Sequence, residues 1–300
     1  MKKKTYLFAL MTMALTLGSC SNNEDGIGGE TSKYITVSTS IGNMTRVATD
    51  EKGGQTFEEG DEISVYAWTG DATVAPETRE RVVNNAINKL TNGSWVSTPQ
   101  MLWKNNRDKH YFIGVYPISA ISDLSAGEYT FDETKQVESD LLVAVNKDGI
   151  SYNADEQQTV PLTFTHVMAK LAVNLTYKNQ WGGIPTVEKV VVGNAAKEAT
   201  INYLTKVVTP STTAKEDFSL PEITENTKYV SVIIPQEDVK QLTIVIGGKN
   251  FVYDNGTPFK LESGKITTVN LEVGRDEIKL GDVKITNWED GSTFSGEALN

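Results

Sequence analysis

Residues 160–175 read VPLTFTHVMAKLAVNL, and this stretch decides the fold. Apolar residues recur at every second position in its first half, which is the period of a half-buried β-strand. A second strand pattern follows with almost no linker after His166. Two strands joined so closely predict a point at which the chain passes directly from one β-sandwich into another. We therefore predict an N-terminal domain over residues 33–166 and a C-terminal domain over residues 167–300.

The same period of two recurs along most of the chain. Its first occurrence is a strand over residues 34–41, with one face formed by Ile35, Val37, Thr39 and Ile41. Further strands are predicted over residues 63–68, 111–116, 141–145, 160–166, 171–177, 187–192, 229–234, 242–246, 250–253, 267–273 and 283–288. Many short strands separated by turn sequences indicate antiparallel β-sandwiches.

Turn sequences and the lack of helical periods support this all-β interpretation. Residues 91–94 read TNGS and residues 254–256 read DNG, both of which favour tight turns between strands. Only residues 76–90 begin with a helical composition, and the paired valines and asparagines inside that segment weaken a helix. We predict a loop leading into a strand there. The expected fold class is all-β, with two β-sandwich domains in series.

The N-terminus has the anatomy of a secretory signal segment. Three lysines at positions 2–4 precede an apolar run over residues 6–17, which is shorter than the roughly 20 residues that a membrane-spanning helix needs. Leu17-Gly18-Ser19-Cys20 closes the run and contains the only cysteine of the chain. We predict a lipoprotein signal peptide over residues 1–19 and a lipid on Cys20.

A polar segment follows the cysteine directly. Residues 20–32 are acidic and rich in glycine, serine and asparagine, which is typical of a flexible tether. Such a tether would hold the folded part of the protein away from a membrane. The signal peptide and the tether therefore precede the two predicted domains.

Composition excludes several classes of function. The formal net charge is −11, and removal of the leader with its three lysines makes it more negative. Nucleic-acid binding requires clustered Lys and Arg, and the sequence contains no basic stripe. Only two histidines are present, and the common metalloprotease, serine hydrolase and phosphate-loop motifs are missing. We predict no catalytic residues, no cofactor and no metal site, and we interpret His166 as a packed histidine at the domain joint.

A set of short motifs, in their order, resembles the fimbrillin family of type V pili. The matching segments lie at residues 57–66, 103, 111–117, 140–144, 162–171, 264–271 and 283–288. The likeness covers essentially the whole mature chain, and the order of the motifs carries it. The resemblance implies two transthyretin-like β-sandwich domains, a lipoprotein precursor on the outer membrane, and a structural rather than an enzymatic role.

The resemblance also implies an assembly mechanism. A surface arginine-specific protease would cut after Arg46, leaving Val47 as the new N-terminus and releasing the strand over residues 34–41. A terminal strand of a neighbouring pilus subunit would fill the vacated groove, and residues 277–280 or 283–288 are the candidates. The expected partners are therefore other pilus subunits, the outer membrane through the lipid on Cys20, and the protease. The expected location changes from the cell surface to the fimbrium after cleavage.

Alternatives to a cleaved shaft or tip subunit stay open. The polar tail over residues 289–300 weakens a shaft role, and an anchor subunit would keep its lipid and remain uncut. A surface lipoprotein that captures glycans would share the lipid, the tether and the sandwiches. In that case tryptophans such as Trp103 and Trp181 would form a stacking platform for sugars.

Overall fold

The computed structural model describes residues 33–42, 56–156 and 158–288. In these residues the regular structure is β-strand apart from two single 3₁₀ turns, Thr78–Glu80 and Asn179–Trp181. The prediction of an all-β protein is confirmed. No helix in this part of the chain has the length and apolar character needed to span a bilayer.

The strands of the described residues, numbered in chain order, have the following bounds. They are β1 Thr36–Ile41, β2 Glu62–Thr69, β3 Val83–Thr91, β4 Ser94–Thr98, β5 Lys109–Tyr116, β6 Gly127–Thr130, β7 Leu142–Ser151, β8 Thr159–His166, β9 Ala169–Tyr177, β10 Val187–Ala196, β11 Glu198–Asn202, β12 Val207–Pro210, β13 Lys215–Ser219, β14 Glu222–Thr224, β15 Lys228–Ile233, β16 Gln241–Ile246, β17 Lys249–Asp254, β18 Lys265–Val273 and β19 Ile278–Asn287.

A seven-stranded sheet contains most of the N-terminal half, in the order β1-β8-β7-β5-β2-β3-β4. Strand β2, in the interior of this sheet, is buried along both faces, so it is covered on two sides. The sheet curls until its two ends meet. The contact between the ends is a β-bridge between Tyr34, just before β1, and Leu102, which follows β4. One apolar cluster fills the inside of the curl and includes side chains of β1, β2, β5 and β8.

The C-terminal half forms a five-stranded sheet, β14-β15-β9-β18-β19, and a four-stranded sheet, β13-β10-β16-β17. A large apolar cluster includes side chains of both sheets and of the outer face of β2. The chain leaves the seven-stranded sheet at His166 and enters the five-stranded sheet at Ala169. A small sheet, β12-β11-β6, joins strands from both halves. The division into domains at residues 166 and 167 stays a prediction.

Two strand pairs differ from the expected antiparallel arrangement. Strand β1 pairs in parallel with β8, and β9 pairs in parallel with β18. Each pair joins strands that are about 100 residues or more apart in sequence, as the partners Thr36 and Thr159 show. The alternation of a strand indicates its buried face but not the direction of its partner, so local sequence pattern does not reveal such pairs.

The buried His110 on β5 predicts a specific acid sensitivity. The backbone N–H of Lys104 donates to its Nε2 at 3.1 Å, which requires this nitrogen to be unprotonated, and burial lowers the pKa of the imidazole below its ordinary 6.5. The unfolded chain therefore binds a proton that the folded chain does not bind once the pH falls below about 6.5. We expect the free energy of unfolding to decrease there by up to about 1.4 kcal/mol per pH unit.

Urea unfolding at pH 7.5 and pH 5 measures this effect. His110→Gln keeps an acceptor for the Lys104 amide and cannot be protonated, so its stability should change less between the two pH values. His166→Gln is the matched control, because it removes the other histidine of the chain and should leave the effect of His110 in place. Equal pH dependence in wild type and His110→Gln would show that His110 does not cause the acid sensitivity.

Candidate strand-exchange site

Strand β1 occupies one edge of the seven-stranded sheet. Within the sheet its hydrogen-bonded neighbour is β8, and the parallel register runs from Thr36 opposite Thr159 to Ile41 opposite Phe164. The amide of Gly42 continues this register with a bond to the carbonyl of Phe164 at 2.8 Å. The edge position means that β1 can leave without breaking the pairing of any other two strands.

The other flank of β1 contacts the opposite end of the curled sheet. The amide of Ile35 donates to the carbonyl of Met101 at 2.9 Å, and the Trp95 indole N–H donates to the Thr39 hydroxyl at 3.0 Å. Strand β1 therefore closes the gap between β8 and the segment that follows β4. Its removal would leave a groove with backbone donors and acceptors on both walls.

The inner face of β1 is the expected one, although it is less deeply buried at its end. Ile35 and Val37 are 2% and 6% exposed and belong to the apolar cluster inside the curl, whereas Ile41 is only half-buried. Burying a side chain of this size contributes about 1.5–3 kcal/mol. Two fully buried residues thus give β1 roughly 3–6 kcal/mol of apolar stabilisation. The contribution would be larger if Ile41 were buried as deeply.

Phe164 of β8 shapes the wall of this groove. It is fully buried, and its ring meets Phe57 edge-on with 5.1 Å between ring centroids. The ring lies directly over Gly114 of β5, where an added Cβ would come within 2.6 Å of the Phe164 Cζ. The absence of a side chain at Gly114 therefore makes room for the aromatic ring in the groove wall.

The two candidate donor segments, residues 277–280 and 283–288, overlap one continuous strand, β19. It pairs with β18 from Ile278 to Asn287, with a register shift at Gly281, and forms the edge of the five-stranded sheet. From Lys279 to Asn287 every side chain is exposed, and Leu280, Val283 and Ile285 keep about two fifths of their surface in water. The strand is therefore attached mainly by its backbone hydrogen bonds.

The predicted processing and lipidation residues lie outside the described residues. Cys20 belongs to residues 1–32, and Arg46 and Val47 belong to residues 43–55. The polar tail over residues 289–300 is likewise outside. Lipidation of Cys20 and cleavage between Arg46 and Val47 stay predictions.

Trp103 and Trp181 do not form the sugar platform that the glycan-binding alternative requires. Trp103 is 8% exposed and packs against Tyr152, so its faces are not available for stacking. Trp181 is half-buried, with Phe251 at its edge and the Arg275 guanidinium over its ring. Within the described residues no group of three or more His, Cys, Asp or Glu is placed to hold a metal ion.

Comparison with known proteins gives one family and several structures. Residues 45–288 match the sequence profile described as fimbrillin-like. A candidate cell adhesion protein from Bacteroides uniformis has 19% identity and a TM-score of 0.62, with 79% of this chain and 95% of that chain covered. A second one, from Bacteroides ovatus, has 18% identity and a TM-score of 0.62, covering 85% and 98%.

A third structure has a more specific description. The tip fimbrial protein Mfa3 of Porphyromonas gingivalis, truncated at its C-terminus, has 10% identity and a TM-score of 0.50, covering 77% of this chain and 95% of that chain. At such identities the likeness concerns the fold alone. No curated protein matches this chain.

Proposed function

This chain belongs to the fimbrillin-like family, and from that premise we propose that it is exported as a lipoprotein, cut behind β1 and polymerised by strand exchange. The family makes it a structural protein of cell-surface fimbriae and not an enzyme. The proposal concerns how this subunit is anchored, activated and joined to its neighbours.

The position of β1 is the observation that carries the proposal. Strand β1 is a sheet edge with a buried inner face, and it ends at Ile41, five residues before Arg46 in the sequence. A cut behind Arg46 would separate β1 from the rest of the chain. The strand would then be held by its hydrogen bonds and by roughly 3–6 kcal/mol of apolar burial alone, as a separate and dissociable peptide.

Strand β19 is the proposed donor. A donor must leave its own sheet at low cost and bring apolar side chains to the groove of the next subunit. Val283 and Ile285 alternate along β19 as Ile35 and Val37 do at the start of β1, and they are exposed in the uncut subunit. Their transfer into the groove would bury apolar surface that is now in water, which favours the polymer.

Arginine-specific cleavage of the purified chain tests the proposal at its first step. We expect one early product that begins at Val47, because Arg46 lies between a strand and a polar segment. Arg46→Lys should abolish that product. Arg79→Lys is the matched control, since Arg79 is an exposed arginine in the short turn between β2 and β3.

N-terminal sequencing and intact mass identify the product and distinguish the roles. Protein from cells that begins at Val47 supports a cleaved subunit. Protein that retains an acylated Cys20 as its only N-terminus supports the anchor role instead. Early cleavage at Arg79 in the wild type would contradict the proposed activation site.

A further inference from the structure

One residue at the end of β19 differs from the rest of the strand. Trp288, which follows directly, is 3% exposed, although the side chains of β19 from Lys279 to Asn287 are exposed. Its indole stacks on the His166 ring with 4.2 Å between centroids and 6° between planes. The Lys170 ammonium also lies over the indole, 4.1 Å from the ring centroid. The strand is thus fixed at its end by an aromatic and a cationic contact.

The two residues that contact the indole, His166 and Lys170, have fixed positions of their own. His166 Nδ1 lies 2.8 Å from the Asp140 carboxylate, and Lys170 is 2% exposed on β9. Burial lowers the pKa of Lys170 to about 8, and the Asp140 charge opposes this change. The backbone N–H of Trp288 donates to the carbonyl of Gly264 at 3.1 Å. These fixed partners define a binding position for the indole.

The indole also has space to leave. A cavity of about 280 Å³ opens beside it, lined by Thr165, His166, Val167, Lys206, Ser263 and Gly264 together with Trp288. Lys206 reaches this cavity from the other half of the chain and donates to the Thr165 hydroxyl at 2.9 Å. The indole is thus a member of the large apolar cluster that also borders open space on one side.

Strand β8 connects this contact to β1. Gly42, at the end of β1, bonds to Phe164, and Phe164 is two residues before His166 on the same strand. Loss of β1 would leave the edge of β8 without a partner from Thr159 to Phe164. This edge ends two residues before His166, which stacks on the indole. An unpaired edge has weaker local stability, so the stacking partner of Trp288 would lose support.

We propose that Trp288 is a latch that keeps β19 on its own subunit and that loss of β1 from β8 weakens this latch. The inference rests on the proposed function, because it concerns when the donor strand becomes available. An uncut subunit would keep both terminal strands docked. A cut subunit would lose β1 and then release β19 to its neighbour. Cleavage would therefore precede donation of the strand.

Hydrogen-exchange mass spectrometry of the intact, uncut chain tests the latch. We expect Trp288→Leu to raise amide exchange over residues 278–287 by about tenfold, because it removes the stacking and the cation–π contact. Trp288→Phe keeps an aromatic ring and should give a smaller increase. Lys284→Ala changes an exposed side chain of the same strand and should leave exchange unchanged.

Faster exchange throughout β9 and β10 in Trp288→Leu would identify Trp288 as an ordinary core residue and overturn the latch. Unchanged exchange over residues 278–287 would overturn it as well. The same measurement on freshly trimmed chain beginning at Val47, diluted and shown by light scattering to be monomeric, with and without a peptide of residues 33–42, tests the coupling. We expect about tenfold faster exchange in β19 without the peptide and recovery with it, and equal rates would exclude the coupling.

The latch and the proposed function can fail separately. Exchange is measured on the monomer and does not depend on filament formation. A chain with the expected exchange that never polymerises would refute strand exchange and leave the latch in place. A chain that polymerises after cleavage with unaltered exchange in β19 would refute the latch alone.

Discussion

Chain that begins at Val47 is expected to associate into filaments, whereas the uncut chain stays monomeric. Without β1, the edge of β8 loses its partner from Thr159 to Phe164, and the interior positions of Ile35 and Val37 become empty. The lost apolar contribution of roughly 3–6 kcal/mol is a large part of the 5–15 kcal/mol that stabilises a typical domain. Light scattering and negative-stain electron microscopy measure the association.

A synthetic peptide of residues 33–42 tests whether the groove is the acceptor. We expect the peptide to fill the groove of the trimmed chain and to prevent filament growth, because it restores the β1 contacts. A Val37→Asp peptide is the matched control, since it would place a carboxylate at a position that is 6% exposed. Equal inhibition by both peptides, or trimmed chain that stays monomeric without any peptide, would contradict the groove as acceptor.

Changes in β19 test the donor in the same assay. Ile285→Asp should leave the uncut monomer about as stable as the wild type, because Ile285 is 41% exposed. It should stop filament growth, because the donor would then bring a charge into an apolar groove. Lys284→Ala controls for a change in strand composition at the neighbouring position. Filament growth by Ile285→Asp would exclude β19 as the inserted strand.

Much of this fold could be predicted from the local sequence pattern. The alternation over residues 34–41 identified β1 and its buried face, and the motif over residues 160–175 identified β8 and β9 with their short joint. The turn over residues 91–94 connects β3 and β4 as a hairpin, with Asn92 and Gly93 at positive φ. These features depend on neighbouring residues, which is why they can be derived from sequence.

Other features depend on distant residues. The parallel pairing of β1 with β8 closes a loop of more than 100 residues and has no local signal. The short strands β4, β6 and β11 to β14 have no clear sequence pattern, because three to five residues carry too little alternation and several of these residues are polar, as in Lys215–Ser219. The expected packed position of His166 was found, whereas the indole that covers it comes from the far end of the chain.

For the residues proposed to act in assembly, sequence likewise predicts some properties and not others. Ile35 and Val37 could be assigned to the groove face from their spacing, but the half-exposed position of Ile41 depends on where the curled sheet ends. Val283 and Ile285 were recognised as an alternating pair, but their exposure depends on β19 being an uncovered edge. Sequence spacing thus predicts the face of a strand, and tertiary packing decides whether that face is covered.

The wall of the groove gives the largest expected effect on stability. Phe164→Ala should lower the free energy of unfolding by about 3–5 kcal/mol, because a fully buried aromatic ring is replaced by a cavity. Gly114→Ala should cost about 1–3 kcal/mol through overpacking, because its Cβ would lie 2.6 Å from the Phe164 ring. Urea unfolding of the uncut chain measures both changes.

The double variant decides whether the close contact between Gly114 and Phe164 is the cause. Phe164→Leu shortens the side chain over Gly114, so the added methyl of Gly114→Ala should fit better in the shortened background. We expect Gly114→Ala with Phe164→Leu to be more stable than the sum of the single changes predicts, by about 1 kcal/mol or more. Additive losses would show that the two positions act independently. Because Phe164 stands opposite Ile41 in the register, a coupled pair would also mean that Gly114 sets the shape of the surface that receives a strand.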